Sequence, residues 1–137
     1  MKSLFLIFSL FFAQTIFAQQ LHLCFKSTDS AYMEDPIQLS FNVIDKDWAN
    51  GYVQYKGQKG GLLLSFSVEK IIKEEKGKPS EIEYSFNELS NGKATGKYFL
   101  SIVDSKVIYF YYYDKRRKTK INFEQDFSSG EKCGCNW

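Results

Sequence analysis

Proline occurs twice in the 137 residues, histidine once and cysteine three times, and helical hydrophobic periodicity is nearly absent. Each shortage excludes something. A catalytic triad or dyad needs a base held close to a nucleophile, and no spacing ties the single His22 to Ser27 or Ser30. With 18 basic and 16 acidic side chains the net charge is only +2, which excludes a strongly basic nucleic-acid binder. The mostly apolar stretch Leu4 to Phe12 is broken off by Gln14 and is too short for a membrane-spanning helix. The chain is also too short for a multi-domain enzyme.

That run instead has the layout of a secretory signal. Lys2 supplies the positive start, Leu4 to Phe12 the apolar centre, and Ala18 the small residue at the end. The expected organisation is a signal peptide over 1–18 and a single β-rich domain over 19–137, with a net charge of +1 after cleavage. Five phenylalanines leave with the signal, and 19 aromatic residues remain for the fold to place.

Export to the periplasm or beyond puts the cysteines where a disulfide persists. Cys24 stands near the start of the domain, while Cys133 and Cys135 stand near the end of the sequence. One bridge from Cys24 to either of them is expected. It would close a loop of about 110 residues, worth roughly 4 to 5 kcal/mol as an upper figure. The thiol left over would allow a disulfide-linked dimer beside the monomer. A lipid anchor on Cys24 is disfavoured by the bulky Leu23 before it. A zinc site is disfavoured because Cys133-Gly134-Cys135 with His22 or Cys24 lacks the paired C-x-x-C spacing. No metal and no cofactor are expected.

Alternation of period two dominates what remains. Ile37, Leu39, Phe41 and Val43 share one face; Leu62, Leu64, Phe66 and Val68 repeat the pattern, as do Ile82, Tyr84 and Phe86, and then Ile121 and Phe123. Turn signals separate these runs at Asn50-Gly51, Gly57 to Gly61, Lys76 to Pro79, Asn91-Gly92 with Gly96, and Asp104-Ser105. The pattern predicts strands over 21–27, 37–45, 51–56, 62–74, 81–90, 97–103, 107–113 and 120–126, with room for a helical turn only in 28–36. An all-β domain follows: about eight antiparallel strands in a meander, forming a small barrel or a strongly bent sandwich.

Motifs for chemistry are weak. The acidic side chains of Asp45, Asp47, Glu74, Glu75, Glu81 and Glu83 read as solvated faces and turns rather than an acid–base pair. The stretch from Asp45 lacks a calcium loop's ligand at position five, glycine at six and glutamate at twelve. Lys56 to Gly61 lacks the strand-to-helix setting and the Lys-Ser/Thr ending of a phosphate loop. The unusual segment is Val107 to Tyr113, apolar or aromatic on both faces, followed by five basic residues between Lys115 and Lys120. Tyr109, Tyr111 and Tyr113 beside Arg116 and Arg117 form the candidate binding surface, since exposed tyrosines can stack on sugars and the cations can receive an acidic protein surface. Cross-strand stabilisation of the sheet and a solvated turn account for the same residues without any partner.

The expected function is therefore a non-enzymatic module that binds a protein or a glycan in the cell envelope or outside the cell. In architecture alone such a module is similar to small periplasmic β-barrels such as lysozyme inhibitors, or to immunity proteins that block exported toxins. Two alternatives are a lipocalin-like carrier of a small apolar ligand, which lacks the Gly-x-Trp signature on its first strand, and a structural component of the envelope.

Overall fold

The computed structural model describes residues 21–44, 50–128, 135 and 137. Eight strands follow one another: β1 (Leu21–Ser27), β2 (Gln38–Val43), β3 (Asn50–Tyr55), β4 (Leu62–Lys73), β5 (Glu81–Ser90), β6 (Lys93–Val103), β7 (Lys106–Asp114) and β8 (Thr119–Gln125). Every strand pairs antiparallel with the next, and β1 pairs with β8, so the meander closes into a barrel. The 3-10 turn Ser30–Tyr32 occupies the β1–β2 connection. No helix among the described residues is long and apolar enough to cross a membrane.

Local chemistry explains the hairpins. Asn91 and Gly92 have φ of 51° and 74°, and Asp104 and Ser105 have φ of 47° and 66°. Two consecutive left-handed residues make the tight turn whose twist matches that of the flanking strands. Asp114 Oδ1 accepts the backbone N–H groups of Arg116 at 2.9 Å and Arg117 at 3.0 Å, which fixes the β7–β8 turn. Asp29 reaches across to β8, accepting Asn122 N at 2.8 Å, and so latches the long β1–β2 loop onto the wall.

Inward positions of all eight strands meet in one core. Phe25, Leu39, Phe41, Val53, Phe86, Tyr98 and Leu100 are fully buried. Phe25 stacks on Phe110 with ring centroids 4.0 Å apart, Phe41 sets its edge against Phe86 and Phe110 at 5.2 Å, and Tyr98 stacks on Phe110 at 5.7 Å. Burying each such side chain stabilises the fold by about 1.5–3 kcal/mol before entropy is counted. The seam that closes the barrel is short: Phe25↔Gln125, Lys26↔Glu124 and Ser27↔Phe123. Beside it Asp126 N donates to Cys24 O at 2.7 Å, and Cys24 is joined to Cys135.

The bridge thus selects Cys135; Cys133 lies outside the described residues. Three sequence expectations are corrected. The Asn50-Gly51 turn signal is not a turn: both residues lie in β3, where Gly51, expected as the first residue of its strand, pairs with Val43, and a Cβ there would sit 2.3 Å from Asn42 O. Gly96 likewise belongs to β6 and pairs with Glu88. Val68 does not continue the inward row of β4, because the register shifts between Phe66 and Val68 and leaves Val68 exposed.

Candidate functional site

Antiparallel succession brings the β1–β2, β3–β4, β5–β6 and β7–β8 connections to one end of the barrel. Between the last two lies an open cleft of about 620 Å³, whose lining includes Glu88, Lys93, Thr95, Tyr112, Arg116 and Arg117. Lys115 and Asp114 complete the β7–β8 side. Among the described residues none of its four cations, Lys93, Lys115, Arg116 and Arg117, stands in an ion pair. Asp114 is engaged in holding the turn.

Beneath these cations sits a buried carboxylate. Glu88, only 6% exposed, points inward from β5. Its Oε1 accepts Thr95 Oγ1 at 2.9 Å and the Tyr112 hydroxyl at 3.1 Å; its Oε2 accepts the Tyr98 hydroxyl at 2.5 Å. Tyr98 in turn shares a hydrogen bond with the Tyr55 hydroxyl, also 2.5 Å. Burial of a carboxyl group is tolerable only with such a set of hydrogen bonds. Burial raises the Tyr112 hydroxyl above its ordinary range, and the adjacent Glu88 raises it further. Tyr98 is pushed up by burial, then by Tyr55 and Glu88. Both hydroxyls are therefore protonated donors at neutral pH, and the carboxylate is held as their acceptor.

Gly96 makes this geometry accessible. A Cβ at Gly96 would lie 2.2 Å from the Tyr112 hydroxyl oxygen and 2.3–2.4 Å from two of its ring carbons. Tyr112 therefore lies across β6 over a residue without a side chain, and reaches Glu88 on the strand beyond.

The outer wall repeats the arrangement in a different setting. The Tyr109 hydroxyl donates to Glu83 Oε2, and the two strands involved are separated by Ser101, which pairs with both residues. Tyr111 stacks on Phe99 at 4.6 Å, and Lys120 Nζ sits 4.0 Å from its ring centroid. Tyr113 stands in register between Lys97 and Lys120 and is 37% exposed.

The five residues singled out in the sequence are thus divided. Arg116 and Arg117 line the cleft, whereas Tyr109, Tyr111 and Tyr113 form a row on the outer wall, with the first two already engaged by neighbours. The tyrosine that does border the cleft is Tyr112, together with Glu88 and Lys93, none of which stood among the five candidate binding residues. One signal was available for Glu88: it shares the alternation of Ile82, Tyr84 and Phe86 and is thus an acid on the apolar face of its strand. Among the described residues one group of metal-ligand type occurs, His22 with Cys24 and Cys135, remote in sequence from the cleft. No protein-family model, curated protein or solved structure is detectably similar to the chain.

Proposed function

We propose that the protein is an exported, non-enzymatic binding module that receives an acidic group of a protein or glycan partner in the cleft between the β5–β6 and β7–β8 turns. The observation carrying this reading is the convergence of Lys93, Lys115, Arg116 and Arg117, without ion-pair partners among the described residues, above the Tyr112–Glu88 floor. Guanidinium groups on a backbone already fixed by Asp114 can take a carboxylate or sulfate in a two-pronged hydrogen bond with little further ordering. The packed rings of Phe25, Phe110, Tyr98 and Phe41 in the interior favour this surface reading over a carrier that would need a hollow barrel. Export accords with the disulfide between Cys24 and Cys135.

The test is binding of the purified oxidised protein to immobilised acidic and neutral glycans and to acidic peptides over a range of salt. The expected result is retention on acidic members only, weakened by salt and reduced tenfold or more by Arg116→Ala with Arg117→Ala. The Tyr109→Phe variant should bind as wild type does. Equal binding to neutral members, or no effect of the double arginine variant, would overturn the assignment.

A further inference from the structure

At the strand that opens the barrel, three potential ligand atoms face one another. His22 Nε2 lies 3.7 Å from Cys24 Sγ and 3.9 Å from Cys135 Sγ. The other ring nitrogen, Nδ1, is hydrogen-bonded to Asn42 Oδ1. Which of these atoms donates follows from the amide itself. Asn42 Nδ2 donates to the backbone carbonyl of Tyr52 at 3.4 Å and to Ser40 Oγ at 3.2 Å, so its Oδ1 is the end turned to His22. That oxygen can only accept, and Nδ1 therefore carries the proton. Nε2, the atom facing the two sulfurs, is then the ring nitrogen left for coordination.

This is how a metal-binding histidine is normally held, with one nitrogen fixed by an outer hydrogen bond and the other free to coordinate. The distances agree. Tetrahedral zinc, with Zn–N of about 2.0–2.1 Å and Zn–S of about 2.3 Å, places its nitrogen and sulfur ligands about 3.6 Å apart. The observed separations of 3.7 and 3.9 Å differ from that by a few tenths of an ångström. As the disulfide stands, the sulfurs are bonded to each other and supply no thiolate. Once the bond is opened they must part to about 3.8 Å, the sulfur–sulfur distance around tetrahedral zinc. Cys24 lies in β1, whereas Cys135 belongs to no strand.

We propose that the reduced chain binds Zn2+ through Cys24 Sγ, Cys135 Sγ and His22 Nε2, so that the staple of the barrel has two alternative forms, a disulfide and a metal bridge. A dithiol opens the site: it gives two electrons and two protons, the Cys24–Cys135 bond breaks to two thiols, and the dithiol closes to its own disulfide. Zinc then displaces both thiol protons to solvent, the His22 lone pair supplies a third bond, and water fills the fourth position. Loss of zinc and transfer of two electrons to an oxidant such as a disulfide restores the original bond.

The experiment uses the full mature chain with Cys133→Ser, so that no third thiol competes, reduced by a water-soluble phosphine, which takes up the oxygen of a water molecule as it becomes its oxide. Co2+ is the spectroscopic probe, and Zn2+ is used to displace it. Expected are one Co2+ per reduced chain with a thiolate-to-cobalt charge-transfer band, loss of the band on adding Zn2+, and neither binding nor band in the oxidised chain. His22→Ala and Asn42→Ala should each weaken binding at least tenfold, the second through orientation of the ring alone. Absence of the band in the reduced chain, equal binding by the oxidised chain, or an unaltered affinity in His22→Ala would each overturn the proposal. Thermal melting of the reduced chain keeps the result decisive if reduction loosens the barrel: Zn2+ should raise the midpoint, and an unchanged midpoint counts against the site.

Discussion

Two tyrosines of β7 reach two glutamates of β5 by the same route, one inside the barrel and one outside. Tyr112 crosses β6 over Gly96 to Glu88, and Tyr109 crosses the same strand at Ser101 to Glu83. In both cases a small residue on the intervening strand leaves room for the ring. The settings differ in what surrounds the carboxylate. Glu88 is buried and takes three hydroxyl donors, so its removal would leave two of them, the Tyr98 and Tyr112 hydroxyls, buried without it, while Thr95 is exposed and regains water. Glu83 is half-buried and takes one hydroxyl, which solvent can replace. The same pair of side chains is thus part of the core in one place and a surface contact in the other. Identity of residues does not set the energetic weight of a contact; access of water does.

Removing the two carboxylates gives the widest separation between these settings. Glu88→Ala should lower stability by about 3 kcal/mol, since it leaves the buried Tyr98 and Tyr112 hydroxyls short of an acceptor, while Glu83→Ala should cost under about 1 kcal/mol. Urea unfolding of the two variants measures both, and equal losses would erase the distinction. Gly96→Ala comes next, at about 1–3 kcal/mol, because the new methyl group must displace the Tyr112 ring from its place over β6. Loss of the Gly96→Ala cost in a Tyr112→Ala background, which is itself destabilised, would identify that ring as the cause.

Alkali supplies a smaller and graded contrast. The Tyr98 and Tyr112 hydroxyls are raised in the folded chain, chiefly by burial, so above the unfolded tyrosine value near pH 10 the folded state holds more protons than the unfolded state. Stability contributed by these hydroxyls is complete below that pH and declines as pH rises beyond it. Tyr112→Phe should make the decline shallower in pH-dependent melting. Least affected should be Tyr109→Phe, at about 0.5–1 kcal/mol by urea unfolding, since the exposed side of Glu83 regains water.

The strands were legible because alternation is a local signal: Leu39, Phe41 and Val43 fall inside whatever they pair with. The barrel itself was legible only as one of two closures, since pairing of β1 with β8 joins residues too distant for any turn rule to specify. The site was read less well. Tyr109, Tyr111, Arg116 and Arg117 are adjacent in sequence, yet strand alternation sends the tyrosines to the outer wall while the turn carries the arginines to the mouth. Glu88 and Gly96 required knowledge of register, because Gly96 reads as turn chemistry beside Asn91-Gly92 until Tyr112 is placed over it. Cys24 could be paired with the end of the sequence, but the choice of Cys135 depends on where the segment after β8 runs.

The short seam between β1 and β8 has a kinetic meaning. Its three residue pairs are each separated by about a hundred positions, whereas the other seven strand pairs are closed by hairpins or by the ten-residue β1–β2 connection. Loop-closure entropy makes such long-range pairing the slowest to form. Folding is then expected to run as a curling ribbon that zips from its hairpins and meets itself last, along β1. A covalent bond at Cys24 placed beside that meeting line acts on the final step. In the oxidised chain the two edges begin as neighbours, and in the reduced chain they must find one another by diffusion.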